Sequence, residues 1–284
     1  MIRTSSLLLL QVVLLGLTRN DAFSPSLPIR AGNRMAPSIN ALKSSIGDET
    51  DLSAMERFEL AKESLIEAAK SSNTSPETIL SKSQDLAEIA EQVGIGQASS
   101  SSGLLDGEWE CIYSPEDLTR SSPFFWAFRR AFPDNSDQVF QITDAIPSPI
   151  KDVGPALQTI DTNAKTLVSR VKVATLNGIA TSQMTTRCSI ERTQGLDGIV
   201  LKVETTKPED STILQKLGPL GDFLNQNSKP FPSGEALEKV VEGSSFVCMV
   251  TTFCDEGLRV SMNQDRPGDV FVWKRKTFGD GMEL

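Results

Sequence analysis

The 284-residue chain is long enough for one domain with extensions or for two small domains. It carries 28 basic and 37 acidic residues, a net charge of −9, and no histidine. The missing histidine excludes catalytic and zinc sites that need an imidazole, and the acidic balance argues against nucleic acid as a partner. It also argues against purely electrostatic docking to anionic lipid, so a lipid partner would have to be held by apolar contact.

Two leader segments are predicted at the N-terminus. Residues 1–22 have the composition of a signal peptide, in which Arg3 precedes the apolar run Leu7–Leu17, too short to span a bilayer comfortably. Residues 23–47 contain bases and serines but no acid, a composition typical of a plastid transit segment. The combination resembles the two-part leader of algae with complex plastids, and the alternative is a secreted protein with a disordered linker. Without residues 1–47 the net charge becomes −13.

Residues 50–96 are predicted to form a helical N-terminal region of two helices. The first covers about Leu52–Ser71, and its apolar side chains lie near one side: Leu52, Met55, Phe58, Leu65 and Ala69. The second begins with Ser75 as the N-cap and Pro76 at the first helical position, and Gly94 ends it.

After the polar linker Gln97–Gly103, the pattern of residues 104–276 changes to that of a β-domain. Eight runs rich in Val, Thr, Ile and Phe are predicted as strands, at 107–114, 137–143, 165–175, 180–193, 198–206, 245–253, 257–264 and 269–275. Two helical stretches interrupt them, Ser121–Phe132 and about Ser211–Leu224. Many short strands that end in a meander favour an antiparallel up-and-down barrel, which at eight strands is wide enough for one small ligand.

The two ends of this β-domain carry a family resemblance. The segment Leu104–Ser114 ("LLDGEWECIYS"), paired with Thr251–Arg275, resembles the opening and closing segments of the plastid fibrillins, also called plastid-lipid-associated proteins. The matching positions are Leu105, Gly107, Trp109, Tyr113, Ser114, Asp255, Arg259, Val260, Ser261, Gly268, Phe271 and Val272. The resemblance implies a mainly β fold, a lipocalin-like barrel, and an apolar ligand such as a carotenoid, prenylquinone or acyl lipid.

Five residues are candidates for binding this ligand or for closing the barrel: Trp109, Tyr113, Asp255, Arg259 and Phe271. A tryptophan near the start of the first strand can plug the closed end, and Arg259 from a late strand can lie across its face. For Asp255 three roles stay open: pairing with an arginine, capping a turn or, as the resemblance implies, standing near the ligand.

The stretch "SSPFFWAFRRAF" predicts a helix that is apolar over much of its circumference, with Ser122 as N-cap and Pro123 next. In one interpretation the helix packs against the base of the barrel. In the other it is a lid over the mouth, whose aromatic side chains meet lipid while its arginines meet headgroups. The lid or membrane candidates are Phe124, Phe125, Trp126, Phe128, Arg129 and Arg130.

The four cysteines form no C-x-x-C pair, which weakens a zinc or thioredoxin-like interpretation. Each lies in a strand-like run, where a buried thiol behaves as a small hydrophobe. A redox-regulated disulfide between Cys111 and Cys188 is the alternative.

We therefore expect a protein without catalytic residues, cofactor or metal. It would bind an apolar ligand in the plastid and associate peripherally with thylakoid membrane or plastoglobules. One alternative is an assembly or scaffold factor that contacts photosynthetic complexes through the helices of residues 50–96. A less favoured alternative is a lipid isomerase or cyclase that works without histidine.

Overall fold

The computed structural model describes residues 52–96, 103–144, 151–175, 180–212 and 229–276. The two leader segments, nearly all of the linker and most of the second predicted helical stretch lie outside these residues. The described helices are α1 (Ala54–Lys70), α2 (Pro76–Val93), α3 (Pro123–Ala131), α4 (Ser136–Asp144) and α5 (Ser233–Glu238), with a 3-10 turn at Leu118–Ser121. The described strands are β1 (Gly107–Tyr113), β2 (Lys151–Asp161), β3 (Thr166–Thr175), β4 (Ala180–Gln194), β5 (Gly198–Glu209), β6 (Phe246–Cys254), β7 (Leu258–Asn263) and β8 (Val270–Arg275).

These eight strands form a closed antiparallel barrel in which every strand pairs with its neighbours in the chain. Pairing of β8 with β1, which sets Trp109 opposite Arg275, closes the ring. The mainly β, barrel-like fold predicted from the sequence is therefore confirmed. Seven of the eight predicted strand runs are strands.

The one remaining run, residues 137–143, forms α4 instead of a strand. Its aromatic residue, Phe140, is buried against the rings of Phe125 and Phe128, at centroid distances of 5.7 and 5.8 Å. The guanidinium of Arg120 lies 4.0 Å from the same ring. Packing of this side chain onto α3 outweighs the weak strand propensity of the segment.

The sequence pattern misses β2, because Gly154 and Pro155 interrupt its alternation. In the structure the two residues lie where the β2–β3 register shifts, between Val153 and Ala156. Such an irregularity is one of the few places where a strand tolerates proline, since the ladder hydrogen bond is already absent there. The strand therefore continues on both sides of the two residues.

The antiparallel order gives the barrel two distinct ends. We call one the closed end: it holds the start of β1, the last residue of β8 and the β2–β3, β4–β5 and β6–β7 turns. We call the other the mouth. The long β1–β2 connection, which contains the 3-10 turn, α3 and α4, lies there, and α5 belongs to the β5–β6 connection at the same end.

The helical pair packs on the outside of the barrel. Ser75 caps α2 and Gly94 ends it with a left-handed backbone, which confirms the predicted boundaries. The buried faces of the two helices lie against outward residues of β6, β7 and β8: Phe253, Leu258, Val260, Val270 and Val272. Leu52 and Met55, predicted for the buried side, are instead 41% and 50% exposed, because Leu52 precedes α1 and Met55 lies in its first turn.

Candidate ligand site in the barrel interior

Trp109 and Arg275 seal the closed end. The indole of Trp109 is fully buried, and its Nε1 donates to the carbonyl oxygen of Leu105 at 2.9 Å. The guanidinium of Arg275 lies 4.1 Å from the Trp109 ring and donates to the carbonyl oxygens of Leu104 and Glu256, both at 2.6 Å, and of Asp106. Arg275 thus ties the segment before β1 to the β6–β7 turn.

Arg275 was not among the site residues predicted from the sequence. Its position in the sequence could have indicated this role. Arg275 is the last residue of the last strand, and closure of an antiparallel barrel places that residue beside the start of β1. Arg259 was expected to lie across the ring of Trp109, and Arg275 and Arg259 share this role. The guanidinium of Arg259 is 5.2 Å from the Trp109 ring, on a side chain that reaches into the interior.

Arg259 is a fully buried cation between two tryptophans. Its guanidinium lies 4.6 Å from the Trp273 ring, and its Nη2 donates to Oε1 of Gln158 at 2.6 Å. Among the described residues, no carboxylate lies within 4.0 Å of it, and its Nε and Nη1 have no acceptor. Burial lowers the pKa of Arg259 to about 9, so the group is still protonated at neutral pH.

The energetics of this arrangement are unfavourable as it stands. Taking an ion out of water costs several kcal/mol even after the protein relaxes. Two cation–π contacts of up to about 2 kcal/mol each, and one charged hydrogen bond of about 1.5–3 kcal/mol, offset much of that penalty. The N–H of Nε and the two of Nη1 still lack acceptors, at about 1–3 kcal/mol per unsatisfied group.

Polar side chains extend from Arg259 toward the mouth. Gln158 also donates, through Nε2, to the carbonyl oxygen of Ser121 at 3.0 Å. The next hydroxyl, Ser122, donates to Thr186 at 3.2 Å, so the residues just before α3 are hydrogen-bonded to the barrel wall. The interior therefore combines an apolar lining with one line of polar groups, the usual composition of a site that orients a ligand.

Helix α3 covers the mouth and turns its aromatic side chains inward. Phe124, Phe125, Trp126 and Phe128 are all at most 7% exposed, in one cluster with the inward residues of the barrel. Trp126 donates through Nε1 to the carbonyl oxygen of Arg120 at 2.7 Å, and its ring lies 5.7 Å from that of Phe271. Phe271, a predicted site residue, therefore lies inside the barrel between the tryptophan pair and the helix.

In this conformation these aromatic residues face the barrel and not a lipid surface, so their contact with lipid stays a prediction. A helix that is apolar around most of its circumference is stable only when all of it is covered, and here the barrel rim covers it. The two arginines are engaged as well. Arg129 donates to both carboxylate oxygens of Glu116, at 2.8 and 2.7 Å, and Arg130 donates to the carbonyl oxygen of Phe246 and lies 3.4 Å from Asp265.

Two further sequence candidates lie away from the interior. Asp255 forms the β6–β7 turn: its Oδ1 accepts from the backbone N–H groups of Gly257 and Leu258, at 2.7 and 2.6 Å. Its Oδ2 pairs with Lys62, which fixes α1 to the barrel. The turn-capping role is thus the one that the structure shows. Among the described residues, its hydrogen bonds and its ion pair lead to the turn and to α1, and not to the barrel interior.

Tyr113 also points outward, toward the helical pair. It lines a surface cavity of about 420 Å³ together with the α1–α2 turn and the segment after β1. Partial burial, with the charges of Glu77 and Asp269, raises the pKa of Tyr113. Of the five predicted site residues, the structure brings three together in the interior: Trp109, Arg259 and Phe271.

A partly buried ionic cluster, which was not predicted from the sequence, lies next to the start of α3. Nη2 of Arg120 donates to Oδ1 of Asp144 at 2.7 Å, and Nζ of Lys151 donates to Oδ2 of Asp117 at 2.7 Å. Burial opposes the ionisation of Asp117, but hydrogen bonds from Lys151 and Thr119 outweigh it and lower its pKa. These contacts join the 3-10 turn and α4 to β2, so α3 starts and ends at anchored segments.

All four cysteines are free and buried, so the Cys111–Cys188 disulfide is not present. Burial raises the pKa of Cys111 to about 12, and it raises that of Cys188 further. Across the described ranges, no group of three or more cysteine and carboxylate side chains is arranged to hold a metal ion. No helix in the described part of the chain combines the length and apolar character needed to span a bilayer.

Comparison with known proteins gave no match, neither to a protein-family model nor to a characterised protein or a solved structure.

Proposed function

We propose that this protein is a non-catalytic lipid-binding protein of the plastid. It would hold one apolar ligand, a carotenoid, prenylquinone or acyl lipid, inside the barrel. The observation that carries the proposal is the closed ring of eight strands, which Trp109 and Arg275 seal at one end and α3 covers at the other. A ring of this size is just wide enough to be filled by side chains or to hold one small ligand. In this conformation the aromatic side chains of α3 pack against its inward residues, so a ligand would take their place. The resemblance to plastid fibrillins supports the ligand class.

Entry of a ligand would require α3 to leave the mouth. Its four large aromatic side chains bury roughly 600–1,000 Å². At about 25 cal/mol per Å², exposing them to water would cost roughly 15–25 kcal/mol, which is prohibitive. The same surface loses little if it moves into lipid instead of water. We therefore propose that loading takes place at a membrane or lipid-droplet surface, where the helix opens onto the lipid and the aromatic residues make the predicted membrane contact.

The first test is the content of the native protein. The chain is purified from the cells that make it, and bound lipid is extracted and identified by mass spectrometry. A stoichiometric pigment, quinone or acyl lipid supports the carrier. Lipid-free protein that co-purifies with a photosynthetic complex would instead support the scaffold alternative, and turnover of an added lipid would support an enzyme.

The second test uses the three tryptophans to detect opening of α3. Full-length protein is mixed with vesicles of brominated phosphatidylcholine, whose bromine atoms quench nearby indoles. Trp126 lies in α3 and should be quenched, whereas Trp109 and Trp273 lie near the closed end. Quenching should therefore disappear in Trp126→Phe and persist in the matched control Trp273→Phe. Absence of quenching in the wild type, or quenching that survives in Trp126→Phe, would refute opening at the lipid surface.

One observation favours the scaffold alternative enough to keep it. The outer surface of α1 and the segment just before it expose three large apolar side chains, those of Leu52, Met55 and Leu60. The rest of the apolar surface of the helical pair is already used against the barrel. Replacing these three residues with glutamine should leave ligand content unchanged if the carrier proposal is right, and should release a partner complex if the scaffold is right.

A further inference from the structure

Arg259 is the one fully buried cation in the described residues, and none of them supplies its counter-ion. It contacts the rings of two tryptophans, and its hydrogen bond to Gln158 uses one nitrogen of the guanidinium, Nη2. The N–H groups of Nε and Nη1 remain as donors inside the barrel. A charged group with three free donors is the side chain best suited to bind an oxyanion.

Two buried hydroxyls of the barrel strands also lack hydrogen-bond partners within the described part of the chain, those of Ser169 and Thr251. Ser169 lies opposite Gln158 in the β2–β3 register. Thr251 lies opposite Ser261, two residues from Arg259 on β7. Each hydroxyl therefore lies on a strand next to one of the two strands that the Arg259 side chain connects, β2 and β7.

We propose that Arg259 binds the carboxylate of a long-chain fatty acid inside the barrel, with the acyl chain directed toward the mouth. This proposal rests on the carrier function proposed above and narrows its ligand class to an anionic acyl lipid. One negative charge matches the fully buried guanidinium of Arg259, for which the described residues supply no carboxylate. The closed end offers no exit past Trp109 and Arg275. Toward the mouth the lining is aromatic, with Phe271 and Trp126, so the acyl chain would take the place of α3 side chains when the helix opens.

The test compares an acid with the alcohol of the same chain length. Full-length protein is titrated calorimetrically with dodecanoate and with dodecanol below their solubility limits. Wild type should bind the acid at least about tenfold more tightly, the gain expected from charged hydrogen bonds in a dry site. Arg259→Met should lower the affinity for dodecanoate by at least about tenfold. The matched control Arg187→Met, which removes an exposed arginine from β4, should keep the preference for the acid.

The possible outcomes separate the two proposals. Equal affinity of the wild type for acid and alcohol would overturn the role of Arg259 and leave the carrier standing, with internal water as the partner of the guanidinium. Binding of neither compound would overturn both for acyl ligands. If Arg259→Met does not fold, a measurement on the wild-type protein still tests the role of Arg259. The pKa of ¹³C-carboxyl dodecanoate, followed by NMR, should fall by about 1–3 on binding beside a buried guanidinium, and an unchanged pKa would overturn the proposal.

Discussion

Arg275 offers the most direct test of how the barrel is closed. Its guanidinium donates to three backbone carbonyl oxygens in two segments that are far apart in the chain, and it lies 4.1 Å from the Trp109 ring. Replacing it with methionine keeps the aliphatic stem and removes all four contacts. Because the side chain is half-buried, we take about 1 kcal/mol for each hydrogen bond, and about 0.5 kcal/mol for the ring contact.

Arg275→Met should therefore lower the free energy of unfolding by about 3.5 kcal/mol. For a domain of this size that corresponds to a decrease in Tm of roughly 7–14 °C. Arg275→Lys keeps the charge but cannot reach three carbonyls at once, so it should lose about half as much. The assay is thermal and urea unfolding of the full-length protein, followed by tryptophan fluorescence, which reports on Trp109 together with Trp126 and Trp273.

The control is Arg187→Met, which removes an equal charge from the exposed face of β4 and should change Tm by less than about 2 °C. If Arg275→Met and Arg187→Met unfold at the same temperature, Arg275 does not hold the closed end together. If Arg275→Lys is as stable as the wild type, the hydrogen bonds to three carbonyl oxygens are not what stabilises the closed end, since the charge alone then suffices.

Three further predictions concern stability and reactivity. A Cβ on Gly234 would overlap the carbonyl oxygen of Val203, whereas one on Gly268 would meet open space. Gly234→Ala should therefore lower the free energy of unfolding in urea by at least about 2 kcal/mol, and Gly268→Ala should leave it almost unchanged. Equal urea midpoints for the two variants would contradict the packing of α5 on β5. Ser53→Ala removes the capping box of α1 and should cost about 1 kcal/mol in the same assay, so an unchanged midpoint would show that this cap is dispensable. Burial raises the pKa of Cys111 to about 12 and that of Cys254 to about 11, so both thiols stay protonated at pH 8. They should therefore react with a disulfide reagent only as fast as the protein unfolds. Rapid labelling of either cysteine in the folded protein would refute its burial.

The local elements of this protein could be predicted from sequence because short-range interactions determine them. Ser75, Pro76 and Gly94 mark the ends of α2 through contacts and backbone preferences that lie within one helical turn. Seven strands likewise follow from apolar alternation, since each must bury one side against the interior. The same logic placed Trp109 inside, at the start of the first strand.

The tertiary structure alone decided what these elements contact. Residues 137–143 carry a strand-like pattern, but burial of Phe140 against α3 and Arg120 makes them helical. Arg275 and Arg259 are both arginines of late strands, and only ring closure determines that the first seals the barrel while the second lies unpaired between two tryptophans. Sequence periodicity specifies which side of an element is apolar. It does not specify which distant surface covers that side, because this depends on register and on the free energy of the whole packed barrel.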